Sequence, residues 1–238
     1  MREWNKIKIN DCNEELSPIP NTIHCIEPHF YLSLGAPYGD KANPWFLRSG
    51  VIDRLVFANY YLRRIDQSLS LGIFDAWRPV SVQSFMVDHT INEQCLIRGI
   101  SRDDKQNSYK VKKIIEEVNL YWASPSLDPA LPPPHSTGGA VDLTLLDSNR
   151  NQLNMGGDID CIGPVSDPNY FAESKNHTNQ LFNSRRLLLL KVMSNAGFVQ
   201  HPKEWWHFSF GDQLWAWTMN CSSAIYGRWV DESNSDIF

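Results

Sequence analysis

The chain is 238 residues long, 42% hydrophobic and 21% charged, with a formal net charge of -5. That length fits one domain with a sizeable core, and the composition is that of an ordinary folded protein rather than a disordered or membrane-spanning one. The acidic balance, without a run of Lys or Arg, excludes a nucleic-acid backbone or an anionic membrane as the expected partner and favours a small or peptide-like ligand.

The start, "MREWNKIKIN", has no apolar stretch of signal-peptide length, and no later stretch approaches the roughly 20 apolar residues of a membrane span, so a cytoplasmic location is expected. Five cysteines (Cys12, Cys25, Cys95, Cys161, Cys221) are an odd number at irregular spacings without C-x-x-C, which predicts reduced, mostly buried thiols. Residues 1–50 carry no assignable motif. From Val51 to Leu69, apolar residues recur every three or four positions and predict a helix. "LGIFDAWRP" reads as a strand entering a loop at Asp75, Arg78 and Pro79. Helices are predicted over 82–97 and 108–123. A proline-rich loop ending at Gly138-Gly139 then feeds a strand over 140–146. Asn176 in "NHT" reads as a polar turn before a helix rather than a glycosylation site. "NSRRLLLLKVMSNAGF" is the last clear helix, closed by Gly197, and a strand follows at or near "WHFSF". The tail over 230–238 is expected to be loose. Helices and strands intermix without a βαβ rhythm, which places the chain in the α+β class, as a single domain.

Five of the seven histidines (His24, His29, His89, His177, His201) call for surface or hydrogen-bonded structural roles. His135 and His207 differ in their neighbours. In "HSTGGAVD", His135 precedes Asp142 by seven residues, with two glycines that let the backbone turn between them. "EWWH" ends in His207, with Glu204 three residues earlier. Two imidazoles and one carboxylate make a catalytic zinc set that leaves a fourth position for water, whose pKa then falls from roughly 16 to about 7. Glu204 is spare, and its expected task is to take a proton from that water and pass it to a leaving amine. Arg78 is a candidate for stabilising the oxyanion. Residues three apart on a strand face opposite sides, so Glu204 is expected in the loop before the strand. Trp205 and Trp206 are read as an apolar wall of a small, dry pocket.

These stretches resemble the VanX-type D-alanyl-D-alanine dipeptidases of the zinc M15 peptidases: the order R-P, H-x6-D, M-G-x-x-x-D, E-x-W-H covers roughly Phe74 to Phe210. The resemblance implies an α+β fold of the Hedgehog/DD-peptidase kind, with a central, mainly antiparallel sheet flanked by helices and zinc in a narrow cleft. It also implies His135, Asp142 and His207 as zinc ligands, Glu204 as base, Arg78 at the transition state, and Asp160 of "MGGDID" at the substrate's amino terminus. Asp75 is grouped with the substrate-binding residues, where it positions Arg78 or caps the loop. The expected reaction is hydrolysis of D-alanyl-D-alanine by a small cytoplasmic enzyme, and a homodimer is suggested. One departure stands out: Pro133 occupies the place of a family Ser or Thr that contacts the dipeptide, two residues before the first zinc histidine. The competing readings are a D,D-carboxypeptidase or L,D-endopeptidase of cell-wall peptides, a non-catalytic zinc-binding module, and a mononuclear iron oxygenase.

Overall fold

A computed structural model describes residues 2–39 and 43–230. In chain order the elements are β1 (Lys8–Ile9), β2 (Leu16–Pro18), β3 (His24–Cys25), α1 (Phe30–Ser33), β4 (Phe46–Arg48) and α2 (Ser49–Ile65). There follow β5 (Ser70–Asp75), α3 (Val80–Ile97), α4 (Ser108–Tyr121), β6 (Ala140–Leu146) and α5 (His177–Asn195). The chain continues through β7 (Val199–Gln200), β8 (His207–Ser209), α6 (Gln213–Thr218) and β9 (Ser223–Ala224). This is a mixed α/β arrangement, and each helix and strand expected within the described residues is present. The tail from 231 onward lies outside them.

The differences are local and have local causes. The first long helix stops at Ile65, short of Leu69, because Asp66 turns extended (φ -145°) and its carboxylate accepts from the Ser68 amide at 2.9 Å. Helix α5 begins at His177, six residues before the periodic stretch, because Asn176 caps it by accepting from the amides of Thr178 (2.9 Å) and Asn179 (3.2 Å). Helix α6 was not foreseen. It is six residues long, too short for a 3.6-residue period to show, and Asp212 starts it by accepting from the Trp215 amide at 2.9 Å. All five cysteines are free, but only Cys95 is buried, which corrects the expectation of mostly buried thiols.

The main sheet has the order β3-β5-β6-β8-β7, parallel only between β3 and β5 and antiparallel elsewhere. All seven residues of β6 are buried, so both faces of the sheet are covered at its centre. Alternation sends Val141, Leu143 and Leu145 into one core with Leu55, Leu62, Leu189 and Val192 of α2 and α5. Each such side chain contributes about 1.5–3 kcal/mol by leaving water. Asp142 therefore points to the opposite face. A second apolar cluster covers that side, built from Val82 and Met86 of α3, Ile114 and Val118 of α4, and Tyr31, Tyr38 and Trp122.

Strand register then builds a polar row. From Ser70↔Leu146 to Ile73↔Leu143 the β5–β6 pairing is regular, and it slips by one residue before Asp75↔Asp142. Without that bulge Asp75 would lie opposite Val141, on the core face. On the other side of β6, Asp142 pairs with His207. Asp75, Asp142 and His207, each more than sixty residues from the next, become neighbours on three adjacent strands.

Candidate metal centre

His135 comes from the turn just before β6. Pro134 opens a single 3-10 turn over Pro134–Thr137, and Gly138 ends it at φ +71°. A Cβ on Gly139 would lie 2.6 Å from the Phe210 carbonyl, so the chain passes close beneath β8 only because both residues are glycine. Buried Arg48 pins the turn by donating from Nε to the Thr137 carbonyl at 2.8 Å.

His135 Nδ1 lies 2.6 Å from the Ala76 carbonyl and donates to it, which leaves Nε2 as a bare lone pair. For His207, Nε2 faces Ser209 Oγ at 3.3 Å, and that hydroxyl donates to Asp212 at 2.7 Å. Nε2 therefore carries the proton, and Nδ1 is the second lone pair. These two nitrogens are 3.2 Å apart, and Asp142 sets Oδ1 2.9 Å from His207 Nδ1 and Oδ2 3.2 Å from His135 Nε2. Donor atoms held about 2.0–2.1 Å from a tetrahedral metal sit roughly 3.3 Å from one another. Three converging lone pairs at that spacing, with their outer hydrogen bonds already committed, fit a metal ion, and His135, Asp142 and His207 form the buried group able to hold one.

Charge surrounds the set. Burial alone would raise the Asp142 carboxyl, but the two histidines outweigh it and hold it well below the usual carboxylate range. Burial lowers and Asp142 raises His207, which ends above the ordinary imidazole value. Glu204 precedes β8 in a loop, as the parity of the strand requires, with Oε2 3.8 Å from His207 Nδ1. Burial pushes its carboxyl up to about 7, against the pull of His207.

Four of the five N–H groups of Arg78 are tethered. Nε donates to Asp75 at 2.5 Å, Nη1 to Gln83 at 3.1 Å, and Nη2 to Asp142 at 3.0 Å and the Tyr31 hydroxyl at 3.3 Å. Of its five N–H groups, one on Nη1 stays uncommitted among the described residues. Asp75 is 0% exposed and also meets His29 Nε2 at 3.0 Å and the Tyr38 hydroxyl at 3.3 Å. It stands behind Arg78 rather than in the cavity, which corrects its assignment as a substrate-binding residue. The reason is the bulge, which points its carboxylate along the row of strands.

A cavity of about 30 Å³ opens on the centre, lined among others by Arg78, His135, Asp142, Asp160, Glu204 and His207. Trp206 lines it; Trp205 does not. Both tryptophans are buried in the main core; Trp205 lies beneath Arg186, whose guanidinium is 5.3 Å above its ring, and only Trp206 also reaches the cavity. The two-tryptophan wall is thereby corrected to one tryptophan, completed by Trp122. Arg186 also donates to the carbonyls of Met155, Val165 and Asp167 at 2.8–2.9 Å, fastening the loop that carries Asp160. Asp160 has a left-handed backbone (φ +64°), and its Oδ2 accepts from the Tyr31 hydroxyl at 2.5 Å. Burial, reinforced by Asp142, pushes its carboxyl up to about 8.

Sequence reasoning missed Tyr31, Gln83 and His201. His201 was read as surface or structural, yet it is 4% exposed, lines the cavity and sets Nδ1 3.6 Å from Glu204 Oε2. Its position in "HPKEWWH" was the available signal. For Tyr31 the only signal was the aromatic density of "HFYLSLGAPY".

A buried pair of imidazoles with one carboxylate, a spare acid and a tethered arginine beside them, is the constellation of a mononuclear metal hydrolase. Residues 26–225 match the M15 peptidase family described as D-ala-D-ala dipeptidase, and the chain belongs to that family. A D-alanyl-D-alanine dipeptidase of Synechocystis sp. is 41% identical over 246 residues, covering 96% of this chain and 97% of that protein. One from Escherichia coli is 40% identical over 74 residues, 31% of this chain and 36% of that protein. A solved LD-carboxypeptidase structure aligns over 90% of this chain and 76% of its own, at 13% identity and a TM-score of 0.43. Among the described residues no helix is long and apolar enough to cross a membrane.

Proposed function

We propose that the chain is a zinc-dependent dipeptidase that hydrolyses D-alanyl-D-alanine, or closely related D,D-dipeptides, to free amino acids. The observation that carries the reading is the convergence of His135 Nε2, His207 Nδ1 and the Asp142 carboxylate within 2.9–3.2 Å, with Glu204 just outside the set. His135, Asp142 and His207 would hold the zinc. Bound there, zinc would polarise the scissile carbonyl and bring the pKa of water to about 7.

The chain's own groups supply the rest. Glu204 Oε2, poised near neutrality by burial, accepts a proton and returns it to the leaving amine nitrogen. The free N–H on Arg78 Nη1 donates to the oxyanion, in an orientation that Asp75 and Gln83 hold in advance. Asp160, held from behind by the Tyr31 hydroxyl, receives the substrate ammonium, which ionises its carboxyl by supplying the charge it lacks. Trp206 and Trp122 exclude water from a narrow cleft, strengthening each of these interactions. One domain in the cytoplasm belongs to the same proposal, and five free cysteines fit a reducing compartment.

Amine release from D,D-, L,D- and L,L-dipeptides and a pentapeptide, by zinc-loaded and chelated protein, tests the reading. Turnover confined to D,D-dipeptides and lost on chelation is expected. Preference for the pentapeptide, or no turnover with one zinc per chain, rejects it. A second test addresses Arg78. In Arg78→Lys an ammonium cannot reach Asp75, Gln83 and an oxyanion together, so kcat should fall about 10²–10³-fold with zinc content unchanged. A fall of less than about threefold would remove Arg78 from the transition state.

A further inference from the structure

The dipeptidase reading accounts for a substrate's ammonium and its amide, but none of the groups so far assigned meets its carboxylate. Arg2 has the position and the unspent donors to do so. It lines the same cavity as His135, Asp142 and Glu204 and is half-buried there. Its bonds come from Nη2 alone, to the Tyr121 carbonyl at 2.8 Å and more distantly to that of Asn119. Among the described residues Nε and Nη1 donate no hydrogen bond and no carboxylate pairs with the guanidinium, which lies 5.6 Å over the Trp4 ring.

The other buried arginines are not in that state. Arg48 meets Asp11 and three carbonyls, Arg78 meets two carboxylates, and Arg186 meets three carbonyls. Burial lowers the pKa of Arg2, and Glu204 offsets this in part, so its charge is desolvated without a matching anion.

The segment that carries Arg2 is built into the wall. Trp4 packs edge-on to His201 with centroids 5.8 Å apart, and lies 6.0 Å from Trp217. Gln213 Nε2 donates to the Ile7 carbonyl at 2.6 Å and the Ala130 carbonyl at 3.1 Å, fastening the segment to α6. Beyond Arg2 the cavity joins a groove of about 760 Å³, which shares Arg2, Trp122, Pro134 and His201 with it and includes Pro133. Asp160 lines the inner cavity only, whereas Arg2 lines both spaces. A dipeptide with its ammonium at Asp160 and its amide at the triad therefore sends its carboxylate toward Arg2. Pro133 faces the groove and has neither a hydroxyl nor an N–H to offer there.

We infer that Arg2 binds the terminal carboxylate of the substrate, and that this ion pair, rather than a closed wall, sets the preference for dipeptides. The inference rests on the dipeptidase reading. Its test compares kcat/KM for D-Ala-D-Ala and for the same dipeptide with a C-terminal amide, in zinc-loaded wild type, Arg2→Met and Arg2→Lys. Charge-assisted bonds of this kind correspond to about 10–100-fold in affinity, so wild type should prefer the acid by at least that factor. Arg2→Met should lose the acid-over-amide preference through KM with zinc content unchanged, and Arg2→Lys should recover part of it. Turnover in wild type with the same acid-to-amide ratio in Arg2→Met overturns the inference alone. No turnover of either substrate in wild type overturns the dipeptidase reading, and the inference with it.

Discussion

Glu204→Gln is expected to bind zinc as wild type does and to lose about 10³-fold in kcat, roughly 4 kcal/mol in the barrier. Zinc should stay because Glu204 Oε2 lies 3.8 Å from His207 Nδ1, outside the three-residue set, whose mutual distances do not involve it. Turnover should fall because an amide of the same shape cannot take up a proton. Stability should hold or rise. The wild-type carboxyl is 8% exposed and its nearest polar contact, His201, is 3.6 Å away, so a neutral amide there relieves a buried acid of its desolvation cost. Metal content, kcat and Tm measured on one preparation separate this outcome from misfolding. A kcat within tenfold of wild type would remove Glu204 from proton transfer.

The second large effect is at Asp142, where one substitution should reach both metal and fold. Asp142→Ala removes the carboxylate that bridges His135, His207 and Arg78. Zinc affinity should fall by more than the 10–100-fold typical of losing a residue that merely supports a ligand. The metal-free variant should also lose about 3–5 kcal/mol, the cost of leaving a buried charge with a partner missing, since Arg78 is 3% exposed and keeps, among the described residues, one carboxylate, Asp75. Competition with a chromogenic chelator reads the first effect and urea unfolding the second. Unchanged zinc affinity would exclude Asp142 from the ligand set; a loss of less than about 1 kcal/mol would mean that Asp75 suffices for Arg78.

The helices at 49–65, 80–97 and 108–121 were legible because each buries one stripe against a core, and a stripe leaves a period in the sequence. Strand β6 was legible for a related reason: a Gly-Gly break followed by an apolar run has few alternatives. Short α6 and the Asn176 cap show where such reading stops, because ends and single turns are settled by one hydrogen bond each.

The same division runs through the site. Chemistry carried within a few residues of chain could be read directly: a histidine seven residues before an aspartate, an acid three before a histidine, and the loop placement of Glu204 that strand parity demanded. Tyr31 and Arg2 could not, because each takes its role from partners distant in sequence. Which donors exist, and which of them are local neighbours, can be read from residue type and spacing because these are covalent facts. Long-range packing alone sets the one-residue bulge in β5 that aligns Asp75, Asp142 and His207, lets Trp206 but not Trp205 reach the cavity, and brings Arg2, His29 and Tyr31 of the first fifty residues to the site. Register between strands some seventy residues apart is set by which faces the whole core can bury, a condition that no local stretch contains.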